Sequence, residues 1–272
     1  MNLKDKTVVI TGASSGLGKA LAVALVAHGA KVVMSSNNEP ELQLAFAQCF
    51  GGAQLASAQR FGGAKEVGGV PVVADVTRKE DMQKLADAAV AQFGRIDIWV
   101  NNAGINAPWS SIEDIDIERA HRMMEVNFFG TLYGSQVALR QMKKQGARLP
   151  PARLASQGEA GGSPSAQTDG GQGGVIMNVV SMASLGSRPQ AAAYAASKWA
   201  ARGFTESLRE ATKSDNIIVM AVHPGGIKTA LFGDHRPPDY GTYMEPSFVA
   251  ERIVENLAQG KPEEELVIRR SA

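Results

Sequence analysis

Tyr194 and Lys198 stand four residues apart, and Ser181 lies thirteen residues before the tyrosine, closing the apolar run Val175-Ile176-Met177-Asn178-Val179-Val180. Residues four apart on a helix share a face. The spacing therefore sets the Lys198 ammonium under the Tyr194 phenol, with Ser181 leaving a buried strand nearby. Three polar heads around one point suit proton transfer to and from an oxygen. A free tyrosine titrates near pH ~10, roughly 4 kcal/mol away from neutrality. A neighbouring cation favours the phenolate and closes part of that gap, and a general acid–base works best with its pKa near the operating pH. A serine hydroxyl can hold the reacting oxygen as charge develops on it. Taken alone, the three residues fit equally well a surface helix that happens to carry a Tyr and a Lys.

The N-terminal segment supplies the elements that would position them. The β-branched run Thr7-Val8-Val9-Ile10 ends in Thr11-Gly12-Ala13-Ser14-Ser15-Gly16-Leu17-Gly18, a helical pattern follows over 19–28, and Lys31-Val32-Val33-Met34 is a second apolar run. This order is a βαβ unit opened by a glycine turn. Glycines let the backbone approach a pyrophosphate, and a helix N-terminus offers unpaired N–H groups and the positive end of a dipole. The spacing is GxxxGxG rather than the commoner GxGxxG. A glycine turn alone is a weak signal, but at the head of a βαβ unit it points to dinucleotide binding.

The alternation continues along the chain. Strands are expected over 70–74, 96–100, 175–180, 217–222 and 265–268, and helices over 79–93, 117–144 (broken near Glu125), from Tyr194 to about Ser214, and 246–259. Strands alternating with helices, with apolar runs buried on both faces, predict a parallel sheet covered on each side. Ligands of such sheets sit at the carboxyl ends of the strands, where every motif named here falls. Residues 51–69 and 146–174 interrupt the pattern; they are rich in Gly and Ala, and in Gly, Pro, Ser, Ala and Gln respectively. Both read as solvated surface insertions on the opposite face.

With 272 residues and a net charge of +1, the chain can bury one large α/β core and lacks the basic stripe of a nucleic-acid surface. A single cysteine, Cys49, excludes an internal disulfide and fits a reducing compartment. No apolar run reaches membrane-spanning length. Met1-Asn2-Leu3-Lys4-Asp5-Lys6 leads straight into the first strand, so no signal peptide is expected and the cytosol is the expected location. The four histidines are scattered, and no metal-ligand spacing is present.

Together these residues resemble a short-chain dehydrogenase/reductase over nearly the whole chain, outside the two insertions. The resemblance rests on the turn ending in Gly16-Leu17-Gly18, on Asp75-Val76, on Asn101-Asn102-Ala103-Gly104, on the set Asn127, Ser181, Tyr194 and Lys198, and on Pro224-Gly225-Gly226-Ile227-Lys228-Thr229. It implies a single-domain Rossmann fold: a doubly wound parallel sheet of about seven strands with helices on both faces. It implies an NAD(P)(H)-dependent oxidoreductase that interconverts a secondary alcohol and a ketone, or an alcohol and an aldehyde. Tyr194 would be the acid–base, Lys198 would lower its pKa and grip the ribose, Ser181 would position the substrate oxygen, and Asn127 would hold a relay water. Gly12, Ser14, Ser15, Gly16, Leu17 and Gly18 would cradle the pyrophosphate; Ser36, Asn37, Asp75 and Val76 would meet the adenosine; Asn102, Ala103 and Gly104 would line the pocket. Pro224, Gly225, Ile227 and Thr229 would pack on the nicotinamide. A homodimer or homotetramer is expected from the resemblance, through the helices bearing Asn127 and Lys198. The alternative is a catalytically silent relative that senses nucleotide or binds a partner.

The end of the second strand reads Ser35-Ser36-Asn37-Asn38, with neither the acid that favours NAD(H) nor a base for a 2′-phosphate. The missing acid removes a repulsion, which favours NADP(H) and leaves NAD(H) possible. Pro108, Trp109, Met182, Leu185 and Gln190 are the expected substrate wall, under a lid over 230–245. Leu231, Phe232, Tyr240 and Tyr243 make that lid apolar, interrupted by Asp234, His235 and Arg236. The expected substrate is a mainly hydrophobic alcohol or carbonyl compound.

Overall fold

The structure is a computed structural model that describes residues 1–51, 68–146, 173–233 and 235–270. Seven strands form one sheet: β1 (Thr7–Thr11), β2 (Lys31–Ser36), β3 (Gly69–Val73), β4 (Ile98–Asn101), β5 (Gly174–Val179), β6 (Ile217–Pro224) and β7 (Glu265–Ile268). Their spatial order is β3-β2-β1-β4-β5-β6-β7, and every neighbouring pair is parallel. The chain winds outward from β1 to β3, returns to place β4 beside β1, and then winds the other way. The order reverses between β1 and β4, and ligands of doubly wound sheets bind at that reversal.

The helices are α1 (Gly16–Ala27), α2 (Glu39–Phe50), α3 (Lys79–Phe93), α4 (Ile117–Met124), α5 (Gly130–Gly146), α6 (Ala192–Ala211) and α7 (Pro246–Ala258). Side chains alternate across the sheet, so each strand from β1 to β6 feeds two cores, and β7 one. Val8 and Ile10 pack with Leu21, Leu25, Phe46 and Ile253 from α1, α2 and α7. Val9 and Trp99 pack with Met82, Leu85, Met142 and Leu208 from α3, α5 and α6. The central strands, buried on both faces, carry unbroken apolar runs for that reason.

The element ends lie within about three residues of the sequence expectation, and two features bear on the site. β2 runs on to Ser36, because Ser35 and Ser36 stay in register with Val72 and Val73 of β3. The break expected near Glu125 takes the form of a π-turn, Glu125–Phe129, that joins two helices. A π-turn takes one residue more than an α-turn, and Asn127 lies in it. The surface insertions expected over 51–69 and 146–174 fall almost wholly outside the described residues.

A polar chain runs through the second core. Trp99 Nε1 donates to Asn101 Oδ1 at 2.8 Å, Asn101 Nδ2 donates to Ser135 Oγ at 2.9 Å and to Asn178 Oδ1 at 2.8 Å, and Asn178 Nδ2 donates to Thr205 Oγ1 at 2.9 Å. These side chains tie β4 and β5 to α5 and α6. Buried polar groups are tolerated when bonded and costly when orphaned. Asn101→Ala strands the Trp99 indole N–H and leaves Asn178 Oδ1 only the long 3.4 Å bond from Ser135 Oγ, and is expected to cost about 2–4 kcal/mol. Urea unfolding of the variant against wild type reads that loss.

Candidate active site

The glycine turn is shaped by close approach. Gly12 has φ +65°, and a Cβ there would lie 2.8 Å from Ala103 Cα; a Cβ on Gly18 would lie 2.3 Å from the Gly12 carbonyl oxygen. Asn102 fastens the turn to β4: its Nδ2 donates to the carbonyl oxygens of Thr11 at 2.9 Å and Gly12 at 3.1 Å. Thr11 Oγ1 accepts the backbone N–H groups of Asn102 at 3.0 Å and Ala103 at 3.1 Å. Ser15 precedes α1 without a side-chain capping bond. The first amides of α1 therefore stay open to a ligand, at the positive end of the helix dipole.

The turn opens into a cleft of about 1640 Å³. That exceeds the roughly 300–1,000 Å³ typical of a small-molecule site and leaves room for a dinucleotide together with a second molecule. At the far end of β2, Ser36 Oγ donates to Ser14 Oγ at 3.0 Å and accepts from Asn38 N at 3.2 Å, and Asn37 is exposed on the cleft wall. Burial on its own would raise the Asp75 carboxyl. The backbone and side-chain hydrogen bonds from Thr77, with Arg122 and Arg78 nearby, hold it below its ordinary value.

Ser181 follows β5 and the helix carrying the other two polar heads begins at Ala192. Tyr194 and Lys198 line the cleft with Ser181. Ser181 stands close enough to the Tyr194 phenol to pull its pKa down. Lys198 is 4 % exposed; its Nζ donates to the Val179 carbonyl oxygen at 3.1 Å and lies 5.9 Å from the Tyr194 ring centroid. Burial lowers the Lys198 ammonium to about 8. It pushes the Tyr194 phenol up, against the smaller pull of Ser181. The expected neighbourhood of cation and phenol is present, with Lys198 Nζ 5.9 Å from the ring centroid, but burial and Ser181, not the cation, govern the phenol. Both groups lie in a medium that disfavours their charged forms.

Of the residues the sequence brought forward for catalysis and cofactor contact, all but Gly18 and Asn127 line the cleft. Gly18 stands behind the turn. Asn127 is fully buried; its Oδ1 accepts Ile105 N at 2.9 Å, and its Nδ2 donates to the Ile105 carbonyl oxygen at 3.0 Å and to Ser197 Oγ at 2.9 Å. Ser197 Oγ in turn donates to the Tyr194 carbonyl oxygen at 2.7 Å. Asn127 thus struts the segment after β4 against the tyrosine's helix. A Cβ on Gly104 would lie 3.2 Å from Asn127 Oδ1 and 3.5 Å from Lys198 Nζ, so the two heads meet where that glycine leaves space.

On the substrate side Pro108, Trp109, Met182 and Gln190 line the cleft, and Leu185, 36 % exposed, does not. Leu231, Phe232, His235 and Tyr243 line it from the segment expected as a lid, while Asp234 lies outside the described residues. Tyr240 does not line it: it packs on Phe232 and Tyr243 at centroid distances of 5.8 and 5.5 Å, under the Arg236 guanidinium. Arg188, Arg269 and Arg270 also line the cleft and were missed by the sequence reading. Arg269 and Arg270 follow β7, so the carboxyl-end rule applied to the last strand would have found them.

A family model described as short chain dehydrogenase matches residues 6–148 and 164–239. An uncharacterized oxidoreductase of Bacillus subtilis strain 168, YxnA, is 31 % identical over 263 residues, covering 93 % of this chain; the chain spans 62 % of that relative's length. An uncharacterized oxidoreductase of Staphylococcus aureus strain USA300 is 30 % identical over 259 residues, covering 95 % of this chain and 94 % of its own. Among solved structures, a 3-ketoacyl-(acyl-carrier-protein) reductase from Brucella melitensis complexed with NADH superposes with a TM-score of 0.77 at 25 % identity, covering 98 % of this chain and 97 % of that one. An alcohol dehydrogenase from Thermococcus sibiricus complexed with 5-hydroxy-NADP gives a TM-score of 0.75 at 24 % identity, with coverage of 98 % and 97 %, and shares the fold.

A buried lysine held near pH 8 has a signature in stability. Its folded pKa of about 8 lies below the ordinary 10.5. Between these values the unfolded chain holds a proton that the folded chain has released, so this group makes stability rise with pH across that window. Below it, the buried charge costs up to about 3 kcal/mol. Lys198→Met is expected to unfold at higher urea than wild type at pH 7, with the difference shrinking toward pH 10. Paired urea titrations across that range check it.

Proposed function

The chain belongs to the short-chain dehydrogenase/reductase family of oxidoreductases, and we propose that it interconverts a secondary alcohol and a ketone, or an alcohol and an aldehyde, at the Tyr194 site. The observation that carries this reading is the opening of Ser181, Tyr194 and Lys198 into the same cleft as the glycine turn. The residues fit a nicotinamide dinucleotide. Gly12 has no Cβ where one would strike Ala103, Gly16 takes φ +52° at the start of α1, and no side chain caps that helix. The cofactor, when bound, supplies or accepts the hydride. The protein supplies orientation and protons.

Tyr194 gives its proton to the carbonyl oxygen in the reductive direction and takes it back in the oxidative one. Ser181, beside that phenol, would give its one hydroxyl hydrogen to the same oxygen. Lys198, lowered to about 8, can pass a proton near neutral pH and would hold the nicotinamide ribose. Asn127 Oδ1 keeps a second lone pair beside Gly104 and Lys198 Nζ, which is where a relay water would be held. Pro224, Gly225, Ile227 and Thr229 would pack on the nicotinamide, and Asp75 and Val76 would meet the adenine.

The favoured cofactor is NADP(H), with NAD(H) possible. No carboxylate closes the end of β2, and the hydroxyls of Ser14 and Ser36 and the Asn37 amide stand there instead. The substrate is proposed to be mainly hydrophobic, taken between Trp109, Met182 and the 230–245 lid. Assembly as a homodimer or homotetramer is proposed through α4, α5 and α6, where Ile117 and Trp199 are exposed.

The test is titration with NADPH and with NADH, followed by nicotinamide fluorescence, and then a panel of ketones read as loss of nucleotide absorbance. Wild type is expected to bind NADPH more tightly and to consume it with a ketone. Tyr194→Phe is expected to bind equally well and to lose about 10²–10⁴-fold in kcat. No binding of either nucleotide at millimolar concentration, or full turnover by Tyr194→Phe, overturns the reading.

A further inference from the structure

The turn that presents Ser181 is braced from behind by a buried imidazole. His223, fully buried on β6, places Nδ1 3.1 Å from Ser184 Oγ and 3.3 Å from the Ser181 carbonyl oxygen. Its Nε2 lies 2.7 Å from Glu265 Oε2 on β7. The other oxygen of Glu265 accepts Arg209 Nη2 at 2.6 Å. Ser184 Oγ donates to the Ser181 carbonyl oxygen at 2.6 Å.

A hydroxyl has one hydrogen to give. Ser184 commits it to the Ser181 carbonyl, so none remains for His223. Nδ1 therefore faces two acceptors and must donate. Nε2 faces a carboxylate oxygen at hydrogen-bond distance, so a second proton lies between them. Ring tautomers are assigned from such accounting rather than from heavy-atom positions, and the shorter contact of Ser184 Oγ to the Ser181 carbonyl, 2.6 Å against 3.1 Å to Nδ1, favours this assignment. The other charged groups on this face are already paired. Glu264 pairs with Arg209 at 3.3 Å, Arg202 pairs with Glu206 at 2.8 Å, and Arg202 Nη1 donates to the Ser184 carbonyl oxygen at 3.2 Å.

Three donors thus converge on the Ser181 carbonyl: Ser184 N at 3.0 Å, Ser184 Oγ at 2.6 Å and His223 Nδ1 at 3.3 Å. They fix the peptide that follows Ser181, and Ala183 N at 3.1 Å fixes its hydroxyl. We propose that His223, protonated on both nitrogens and anchored by Glu265 and Arg209, is a positioning residue that aims the Ser181 hydroxyl at the substrate oxygen. The proposal rests on the reading of Ser181 given under the proposed function. It links the last strand of the sheet to the reacting oxygen through side chains that touch neither substrate nor cofactor.

Two measurements test it. Long-range ¹H–¹⁵N correlation spectra of the full chain read the protonation of each imidazole nitrogen, with His223→Gln identifying the His223 signals among the four histidines. Both nitrogens are expected to carry protons near neutral pH, and Glu265→Gln is expected to remove the one on Nε2. A singly protonated ring in wild type overturns the accounting. This arm needs no cofactor or substrate, so its failure is separate from any failure of the hydride-transfer reading. The second arm is kinetic, on a ketone that wild type reduces. His223→Gln and Glu265→Gln are expected to lower kcat about 10–100-fold, as small misplacements of a reacting group do, with the KM for nucleotide unchanged. In a Ser181→Ala background the same substitutions are expected to cost nothing further. Unchanged kcat in both variants, or an equal loss without Ser181, overturns the positioning role. Glu265→Gln alters a half-exposed side chain and carries both arms if His223→Gln does not fold.

Discussion

Where the sheet changes direction, between β1 and β4, the side chain of Asn102 lies beneath the first turn of the chain. It gives both of its amide hydrogens to the carbonyls of Thr11 and Gly12, while the Thr11 hydroxyl oxygen accepts the backbone amides of Asn102 and Ala103. The contact is small, but the remaining geometry hangs from it. It sets how far the glycine turn stands from the end of β4, and so the width of the cleft between them. It also presses Gly12 against Ala103 and Gly18 against the Gly12 carbonyl, leaving room for no side chain at either position. A turn held this tightly keeps the α1 amides aimed at one point, which matters because the dipole effect fades within the first turn of a helix.

Behind that contact lies a network of buried amide and hydroxyl groups. Asn101, Asn178, Ser135 and Thr205 spend their hydrogen bonds on one another, and Asn127 spends its own on Ile105 and Ser197. Low dielectric makes each such bond strong and each orphan costly. The network therefore discriminates among packings more than it adds net stability: only one arrangement of α5 and α6 on β4 and β5 satisfies every group. That same arrangement brings Ser181, Tyr194 and Lys198 together.

Periodicity revealed the order of elements because parallel strands buried on both faces cannot avoid long apolar runs. It placed α3 and β7 to the residue. It failed where tertiary pairing overrides local pattern: Ser35 and Ser36 look like loop residues, but β3 supplies the partners that keep them in the sheet. The break near Glu125 was visible and its form was not, since a π-turn leaves no signature in hydrophobic spacing. The polar heads of the cleft were legible because their residue types are expensive to bury without purpose. The balance of charge among them was not. Whether Lys198 holds the phenol down depends on how deeply both are buried and on the carbonyl of Val179, and neither is written in a four-residue spacing. The arginines after β7 escaped notice because exposed cations near a chain end are ordinary.

The π-turn at Glu125–Phe129 makes α4 and α5 a phase-coded pair. Asn127 must face Ile105 and Ser197, while Ser135 must face Asn101 two turns later and Gly134 must leave room for the Asn101 side chain. Each residue advances a helix by about 100°. Deleting one residue would restore an unbroken helix and swing the far half out of alignment with the near half. The residue count of this segment is fixed by two docking points that both have to be met at once.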